Sequence, residues 1–496
     1  MLKQILKRAG GDTFKYFPVK LVPAITSLVT VPVFTRLIAR EEYGYFALVN
    51  SAVGLLAVVF TNWVQGSIVR LYWTYEKEGR ADEYVSTAVW SAIGSLALGV
   101  ALAATGAYVL EGRLEPGLMR LVPYGLLSLA VNNSTTTAMQ ILRAANRSKD
   151  YSRLSITTTL VGTAASLALV VWADMGAAGI LLGVVIGNAV VMPFTLRSVR
   201  QQGRLGVGHV KRDVASEFLS YGLPFVPAAI SSWLLVLADR YIIGLLRGAE
   251  EVGLYAVNYN LGDKLMQLVI SPFLIAVAPL LVESFEKHGE ELAQRAQTEL
   301  TRYYAIVTFP LLAGLAVVSR HFVTVFTGPQ YHESYPVLPL VSAGAMLYGF
   351  VRIAGNGITL YKKSMIVMTN MLAAAAFNVG ANLLLVGRFG YMAAAWTTIA
   401  SYALLLFLAW WRGRPYMEWK PPMRELARVL AASLVMAGVV FAAFGWMEPA
   451  VWVLLVEVVA GIVVYVAALR LLGGVRADEI EFVKEAAGGL LARLHR

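Results

Sequence analysis

Glu41-Glu42-Tyr43-Gly44-Tyr45-Phe46-Ala47 returns 209 positions later as Glu250-Glu251-Val252-Gly253-Leu254-Tyr255-Ala256, with four of the seven residues identical. Each copy lies in a short polar gap between two long apolar runs, and Pro18 and Pro227 keep the same offset. The order of apolar segments around the two copies also matches. The chain is therefore predicted to consist of two similar halves, which in a membrane protein usually face each other across a substrate path.

The composition is typical of an integral membrane protein. Of the 496 residues, 58% are hydrophobic and 15% are charged, whereas soluble proteins carry about 25% charged residues. The absence of cysteine excludes disulfides and thiolate sites. No two of the five histidines have metal-ligand spacing. Neither a metal nor a cofactor is expected, and the net charge of +11 is attributed to basic loops rather than to nucleic-acid binding.

Fourteen apolar segments are long enough to cross a membrane, since about 20 residues span the hydrocarbon core. The predicted spans are 16–37, 44–73, 84–110, 118–142, 154–174, 177–199, 216–246, 252–283, 298–319, 336–361, 364–387, 390–411, 425–446 and 450–472. Twenty-nine of the 42 Lys and Arg residues lie at the termini and in the loops after even-numbered spans, against seven on the other side. Basic residues concentrate on the cytoplasmic side, so both termini are predicted to be cytoplasmic.

These spans predict an all-α membrane protein of about 14 transmembrane helices. Two six-helix lobes, residues 1–200 and 213–412, have the same topology because six is even, which makes the repeat parallel. Two extra helices occupy 424–473. Residues 476–496 form an amphipathic helix on the inner membrane surface or, alternatively, a solvent-exposed tail.

Six basic residues remain inside the apolar runs, against three acids at comparable depth, Asp239, Asp263 and Glu457. A charge at bilayer depth costs about 2.5 to 3.5 kcal/mol, so such residues normally line a cavity or pair internally. An excess of cations in a cavity favours an anionic ligand. The candidate anion-binding residues are Lys264, Arg352, Arg240, Lys20, Arg70 and Arg302. The last three lie near span ends, where snorkelling to lipid headgroups is the alternative.

Polar side chains at four-residue spacing share a helix face with these cations. Tyr255, Tyr259 and Asp263 follow one another at four-residue spacing, and Asn260 and Lys264 form a second row beside them. In a later span, Tyr348 and Asn356 lie four residues to either side of Arg352. Aromatic faces stack on sugars and amides bond hydroxyls, so these tyrosines and asparagines are candidates for sugar contact. A polar seam between helices is the alternative. Asp263 and Asp239 are candidate carriers of a coupling proton.

Two stretches of the chain resemble the bacterial Wzx-type polysaccharide flippases. They are Thr35-Arg36-Leu37-Ile38-Ala39-Arg40-Glu41-Glu42-Tyr43-Gly44, and Asp239-Arg240-Tyr241-Ile242-Ile243-Gly244 with Gly253-Leu254-Tyr255-Ala256. The resemblance implies a fold shared with the multidrug and toxic-compound extruders (MATE proteins). It also implies that a polyprenyl-diphosphate-linked oligosaccharide, such as a unit of O-antigen, capsule or exopolysaccharide, moves from the inner to the outer leaflet of the plasma membrane by alternating access. The two extra helices would offer a groove for the lipid tail, and other polysaccharide assembly proteins are possible partners.

Two alternatives remain open. A drug extruder of the same fold would be expected to have an acidic cavity. A glycosyltransferase or scaffold of polysaccharide assembly would need larger outer loops, whereas the longest outer gap here has 16 residues and no nucleophile-base pair. The cytoplasmic loops also lack a phosphate-binding glycine loop. The sequence therefore predicts a transporter, not an enzyme.

Overall fold

A computed structural model describes the backbone of residues 2–476, and the side chains of that range except residues 2–18, 20 and 276–278. The described chain is helical, without strands. Its α-helices are α1 Leu2–Leu37, α2 Arg40–Phe60, α3 Asn62–Lys77, α4 Ala81–Val109, α5 Pro116–Ala144, α6 Ser148–Val171, α7 Gly176–Arg200, α8 Arg212–Gly222, α9 Val226–Arg247, α10 Ala249–Phe326, α11 Val337–Ala354, α12 Asn356–Leu360, α13 Ser364–Phe389, α14 Tyr391–Gly413, α15 Met423–Phe444 and α16 Val451–Leu471. The predicted tail lies, apart from its first residue, outside the described residues.

Three predicted spans are each divided into two helices. Thr61 separates α2 from α3, and its hydroxyl donates back to the carbonyl oxygen of Ala57 at 2.8 Å. A short 3₁₀ segment, Leu223–Phe225, separates α8 from α9 and contains Pro224, which lacks the N–H that a continuous helix needs. Gly355 separates α11 from α12. The break at Gly355 shortens the predicted span 336–361 and places Arg352 in the last turn of α11.

α10 is a hairpin of two helical arms that reverse at Gly289, where φ is 82°. The ring centroids of Phe273 and Tyr304 lie 5.5 Å apart. In a straight helix these residues would be separated by about 45 Å, at about 1.5 Å per residue. The arms correspond to the predicted spans 252–283 and 298–319, and the second arm extends beyond its predicted ends to Phe326.

Within the described residues, eleven helices are long and apolar enough to cross a membrane, with α8–α9 counted as one span and the α10 hairpin also counted once. α5 and the apolar part of α1, Leu21–Leu37, do not satisfy that criterion. The polar run Asn132-Asn133-Ser134-Thr135-Thr136-Thr137 lowers the hydropathy of α5. The count of fourteen spanning helices stays a prediction.

The packing repeats between the halves. In the first half α1 packs on α6, α6 on α7, α7 on α5 and α5 on α2. In the second half the equivalent contacts join α9 to α13, α13 to α14, α14 to α11 and α11 to α10. α15 and α16 pack on each other and on α10, outside this pattern. The predicted all-α membrane fold with two repeated lobes and two further helices is confirmed, while the lobe boundaries 1–200 and 213–412 stay predictions.

Candidate functional site

The two copies of the repeated segment cross each other at one end of the bundle, here called the motif end. A Cβ atom at Gly44 would lie 1.9 Å from the carbonyl oxygen of Ala249, and one at Gly253 would lie 2.0 Å from that of Arg40. Residues 40 and 249 are themselves related by the offset of 209. The contact is therefore reciprocal, and only glycine allows the backbones of α2 and α10 to approach this closely.

The second glutamate of each copy caps a later helix of its own half. Glu42 Oε1 accepts a hydrogen bond from the backbone N–H of Ala177 at 2.8 Å, at the start of α7. Glu251 Oε2 accepts one from the N–H of Tyr391 at 3.0 Å, at the start of α14. A carboxylate at a helix N-terminus satisfies an unpaired donor and complements the helix dipole. The motif thus fixes equivalent corners of both halves.

Ion pairs reinforce the closed contact at the motif end. Arg40 lies 3.0 Å from Glu250 and 2.6 Å from Glu333, both in the second half. Nearby, the Thr35 hydroxyl accepts from the N–H of Gly328 at 2.9 Å, and Gln330 donates to the Ile38 carbonyl oxygen at 2.9 Å. The two halves are joined at this end by hydrogen bonds and charge. These partners lie between about 210 and 293 positions apart in the chain, so local sequence patterns do not reveal them.

Behind this contact, five predicted site residues form a polar network that is buried except at the half-buried Asn260. Asp239 accepts from the Tyr255 hydroxyl at 2.5 Å and from the Arg240 backbone N–H at 2.8 Å. The Arg240 guanidinium lies 4.5 Å from the centre of the Tyr259 ring and donates to Asn260 Oδ1 at 3.3 Å. Asp239 and Arg240 are 1% and 2% exposed. In this conformation their charges are satisfied within the protein.

Three other predicted residues line a cavity of about 340 Å³ formed entirely by the second half. Tyr348, Arg352 and Asn356 enter it from α11 and α12, as their shared spacing predicts. The Arg352 side chain is exposed and has no hydrogen bond or ion pair with a described residue. Glu286 and Lys362 also line the cavity. The sequence interpretation missed these two because both lie outside the predicted spans, Glu286 near the reversal of α10 and Lys362 in the turn after α12.

Lys264 lies in a separate cavity of about 290 Å³, between α1 and the first arm of α10. Leu21 and Ala24 of α1 face Gln267 and Ser271 of α10 across it. Both halves therefore contribute to its wall. Lys264 is exposed and has no ion pair with any described residue, while Asp263 accepts from Gln267 at 3.5 Å. The Lys20 side chain is outside the described residues.

The two remaining basic candidates lie apart from both cavities. Arg302 is 1% exposed and donates to the carbonyl oxygen of Gly474 at 2.8 Å, which ties the second arm of α10 to the end of α16. It therefore makes a structural contact and does not snorkel to the surface. Arg70 is exposed on α3. The five basic candidates whose side chains are described do not converge on one cavity.

An apolar groove of about 530 Å³ runs between α10 and the pair α15–α16. Its wall includes Val269, Leu311, Phe322, Met436 and Ile462. This is where the family resemblance predicts a lipid-tail groove. The structure therefore offers two cavities that each contain a basic side chain, and one apolar groove, around the second half.

Comparison with known proteins agrees with this architecture. Residues 33–336 match the model of a family described as polysaccharide biosynthesis protein. The chain is 28% identical over 141 residues to the teichuronic acid biosynthesis protein TuaB of Bacillus subtilis, a match that spans 28% of each protein. It is 19% identical over 432 residues to Agl15 of Haloferax volcanii, described as a probable low-salt glycan biosynthesis flippase, covering 87% of this chain and 89% of Agl15.

The fold is similar to two solved membrane transporters. It matches the lipid II flippase MurJ in an inward closed conformation with a TM-score of 0.73 and 13% identity, over 92% of this chain and 97% of MurJ. It matches an inward-facing MATE multidrug transporter with a TM-score of 0.62 and 11% identity, over 81% and 94% of the two chains. These likenesses confirm the predicted MATE-like fold. Since the family model covers more than half of the chain, the protein belongs to the family of polysaccharide biosynthesis proteins.

Proposed function

We propose that the protein is a flippase that carries a polyprenyl-diphosphate-linked oligosaccharide across the plasma membrane, from the inner to the outer leaflet. The observation that carries this proposal is the row Tyr348, Arg352 and Asn356 in a cavity, with the guanidinium of Arg352 unpaired within the described residues. Family membership and the likeness of the fold to flippases support it.

The chemistry of the row suits each part of such a substrate. A guanidinium offers several donors in a planar fork that matches phosphate oxygens. The Tyr348 ring and the Asn356 amide lie one helical turn to either side in sequence, where a sugar attached to the diphosphate would contact them. We assign Arg352 to the diphosphate and these two neighbours to the sugar.

Lys264 provides a second cation, in a different cavity from Arg352. It lies where α1 meets α10, at a contact between the halves, and a substrate that enters laterally from the bilayer would pass such a contact. The polyprenyl tail stays in apolar surroundings, for which the groove between α10 and α15–α16 is suited. A diphosphate and sugar would then be shielded from hydrocarbon while the tail remains in it.

Alternating access requires the motif end to open. The reciprocal glycine contact and the ion pairs of Arg40 close that end in this conformation. Opening would expose Arg240, Tyr255, Tyr259 and Asn260, which are now paired with one another, and would let them receive the substrate. The motif end is proposed to face outward, with both termini cytoplasmic.

A drug extruder is the competing function, and the charges argue against it. Among the described residues, the cavity that holds Arg352 is lined by two cations, Arg352 and Lys362, and by one carboxylate, Glu286, while Asp239 is buried and bonded elsewhere. An extruder of cations would be expected to present more carboxylates than cations.

The test is translocation by purified protein in liposomes. A fluorescent polyprenyl-diphosphate oligosaccharide should move between leaflets, and a polyprenyl-diphosphate without cationic groups should compete, whereas the cationic dye ethidium should be neither exported nor inhibitory. Export of ethidium without lipid movement would favour the extruder. Transfer of sugar by the protein alone would favour a glycosyltransferase.

A further inference from the structure

A buried histidine–glutamate pair joins α10 to α16 near the motif end. His321 Nδ1 lies 2.7 Å from Glu457 Oε1, and His321 Nε2 lies 3.1 Å from the carbonyl oxygen of Met447. His321 and Glu457 are 2% and 1% exposed. Neither residue is assigned to the diphosphate or the sugar, although Glu457 borders the groove proposed for the lipid tail. The imidazole therefore contacts both α16 and the loop that precedes it.

The partners of the imidazole fix the number of protons in the pair. A carbonyl oxygen only accepts, so Nε2 must carry a hydrogen. The short Nδ1–Oε1 contact then needs one further proton, which lies on either the imidazole or the carboxyl group. In both arrangements the pair is neutral overall. Without that proton, two lone pairs would face each other beside a buried negative charge, and buried charge without a partner is strongly unfavourable.

The surroundings give this proton no other partner. Glu457 lines the apolar groove, and its Oε2 has no hydrogen-bond partner among the described residues. Within the described residues, the hydrogen bond and ion pair of Glu457 are both with His321. The neighbouring charged residues, Arg320 on α10 and Glu448 in the α15–α16 loop, are exposed. The other charged residues of α15 and α16 lie at the ends of those helices that are far from the pair.

We propose that His321 and Glu457 form a binding site for one proton, and that proton occupancy controls the packing of α16 against α10. With the proton bound, the pair holds α16 in place. When the proton leaves to the solution at the motif end, the contact between lone pairs favours separation, and α16 moves away from α10. The proton is the ligand, and the groove between the two helices widens when it is released.

The direction of the pH dependence follows from the proton count. Separated and hydrated, His has an ordinary pKa of about 6.5 and Glu one of about 4.3. Above about pH 6.5 the separated pair is a neutral imidazole and a carboxylate, with one proton fewer than the joined pair. Raising the pH there shifts the ratio of separated to joined forms by about tenfold per unit. Between the two ordinary pKa values both forms hold the same number of protons, and the ratio is constant.

The test measures the distance between α16 and the second half in the full-length protein. Because the sequence has no cysteine, spin labels attach only to the two cysteines introduced by Leu245→Cys and Val451→Cys, both at exposed positions. Pulsed electron resonance in lipid nanodiscs without substrate should show a longer-distance population whose ratio to the shorter-distance population grows about tenfold per pH unit above about pH 6.5. No substrate is needed, so the result is independent of the proposed flippase activity.

Glu457→Gln is the decisive variant, since its neutral amide can donate to Nδ1 and mimics the protonated carboxyl. It should keep the shorter distance at every pH. Glu448→Gln, which removes an exposed carboxylate nearby, should behave as the unsubstituted protein. A pH-independent distance in the protein with both native residues would overturn the proposal even if Glu457→Gln does not fold, and so would an unchanged pH response in that variant.

Discussion

α2 and the first arm of α10 begin with the same Glu-Glu-X-Gly segment but differ further along. Thirteen residues after the second glutamate, α10 carries Lys264 where α2 carries Leu55, and Asp263 replaces Gly54. Likewise, α9 carries Asp239-Arg240 where α1 carries Thr30-Val31. The glycine crossing and the helix caps are shared, whereas the deep charges are confined to one half. The duplication therefore preserves a symmetric scaffold, and the second half has the charge needed for an anionic substrate.

The largest effect is expected where the two copies touch. Gly44→Leu and Gly253→Leu should each destabilise the protein by about 4 kcal/mol, at the upper end for single substitutions, because each new Cβ would overlap a carbonyl oxygen. Thermal unfolding in detergent and size-exclusion profiles measure this loss. The symmetry predicts similar losses for both.

Gly66→Leu in α3 is the matched control, since no neighbouring atom lies within 4 Å of its Cβ position. The thermal stability of Gly66→Leu should remain close to that of the unsubstituted protein. If one motif glycine tolerates leucine and the other does not, the reciprocal contact is not the basis of the scaffold.

The next effect distinguishes the halves. Arg240→Met should cost about 3 kcal/mol, because it leaves the buried Asp239 carboxylate without its cation. Val31→Met at the equivalent position of α1 adds apolar volume at a buried site but leaves no charge unpaired, so it should cost less, about 1 to 2 kcal/mol. Melting temperatures compare the two variants directly. Equal losses of stability would contradict the claim that the Asp239–Arg240 pair stabilises the second half in a way that the first half lacks.

Smaller and equal effects are expected at the helix caps. Glu42→Ala and Glu251→Ala should each cost about 1 kcal/mol, since each removes the acceptor for a backbone N–H at a helix start. Glu111→Ala, on an exposed turn, serves as the control. A loss confined to one copy would show that the caps are not equivalent.

Several features of this fold can be predicted from the sequence. The repeated segment and the apolar runs predict the two halves, and four-residue spacing predicts the row Tyr348, Arg352 and Asn356. Helix periodicity reports which residues share a face, so these predictions need only local geometry.

Contacts between segments that are distant in the sequence cannot be predicted from helix periodicity. Adjacent helix residues point about 100° apart, yet the Arg240 side chain folds back to within 3.4 Å of Asp239. Arg302 is buried because it meets Gly474, 172 positions later. Where each cation lies, in a cavity or in a packed contact, depends on such partners.

The central claim is that Arg352 binds the anionic part of a lipid-linked substrate. The most direct measurement compares the translocation rate of a polyprenyl-diphosphate oligosaccharide for Arg352→Ala and Arg352→Lys, with Arg388→Ala, an exposed arginine at the end of α13, as control. Losing a charge-assisted contact worth about 1.5 to 3 kcal/mol predicts a rate at least about tenfold lower for alanine at limiting substrate. Lysine should restore part of the rate, the control should be unaffected, and all melting temperatures should be unchanged. A full rate for Arg352→Ala would contradict the account.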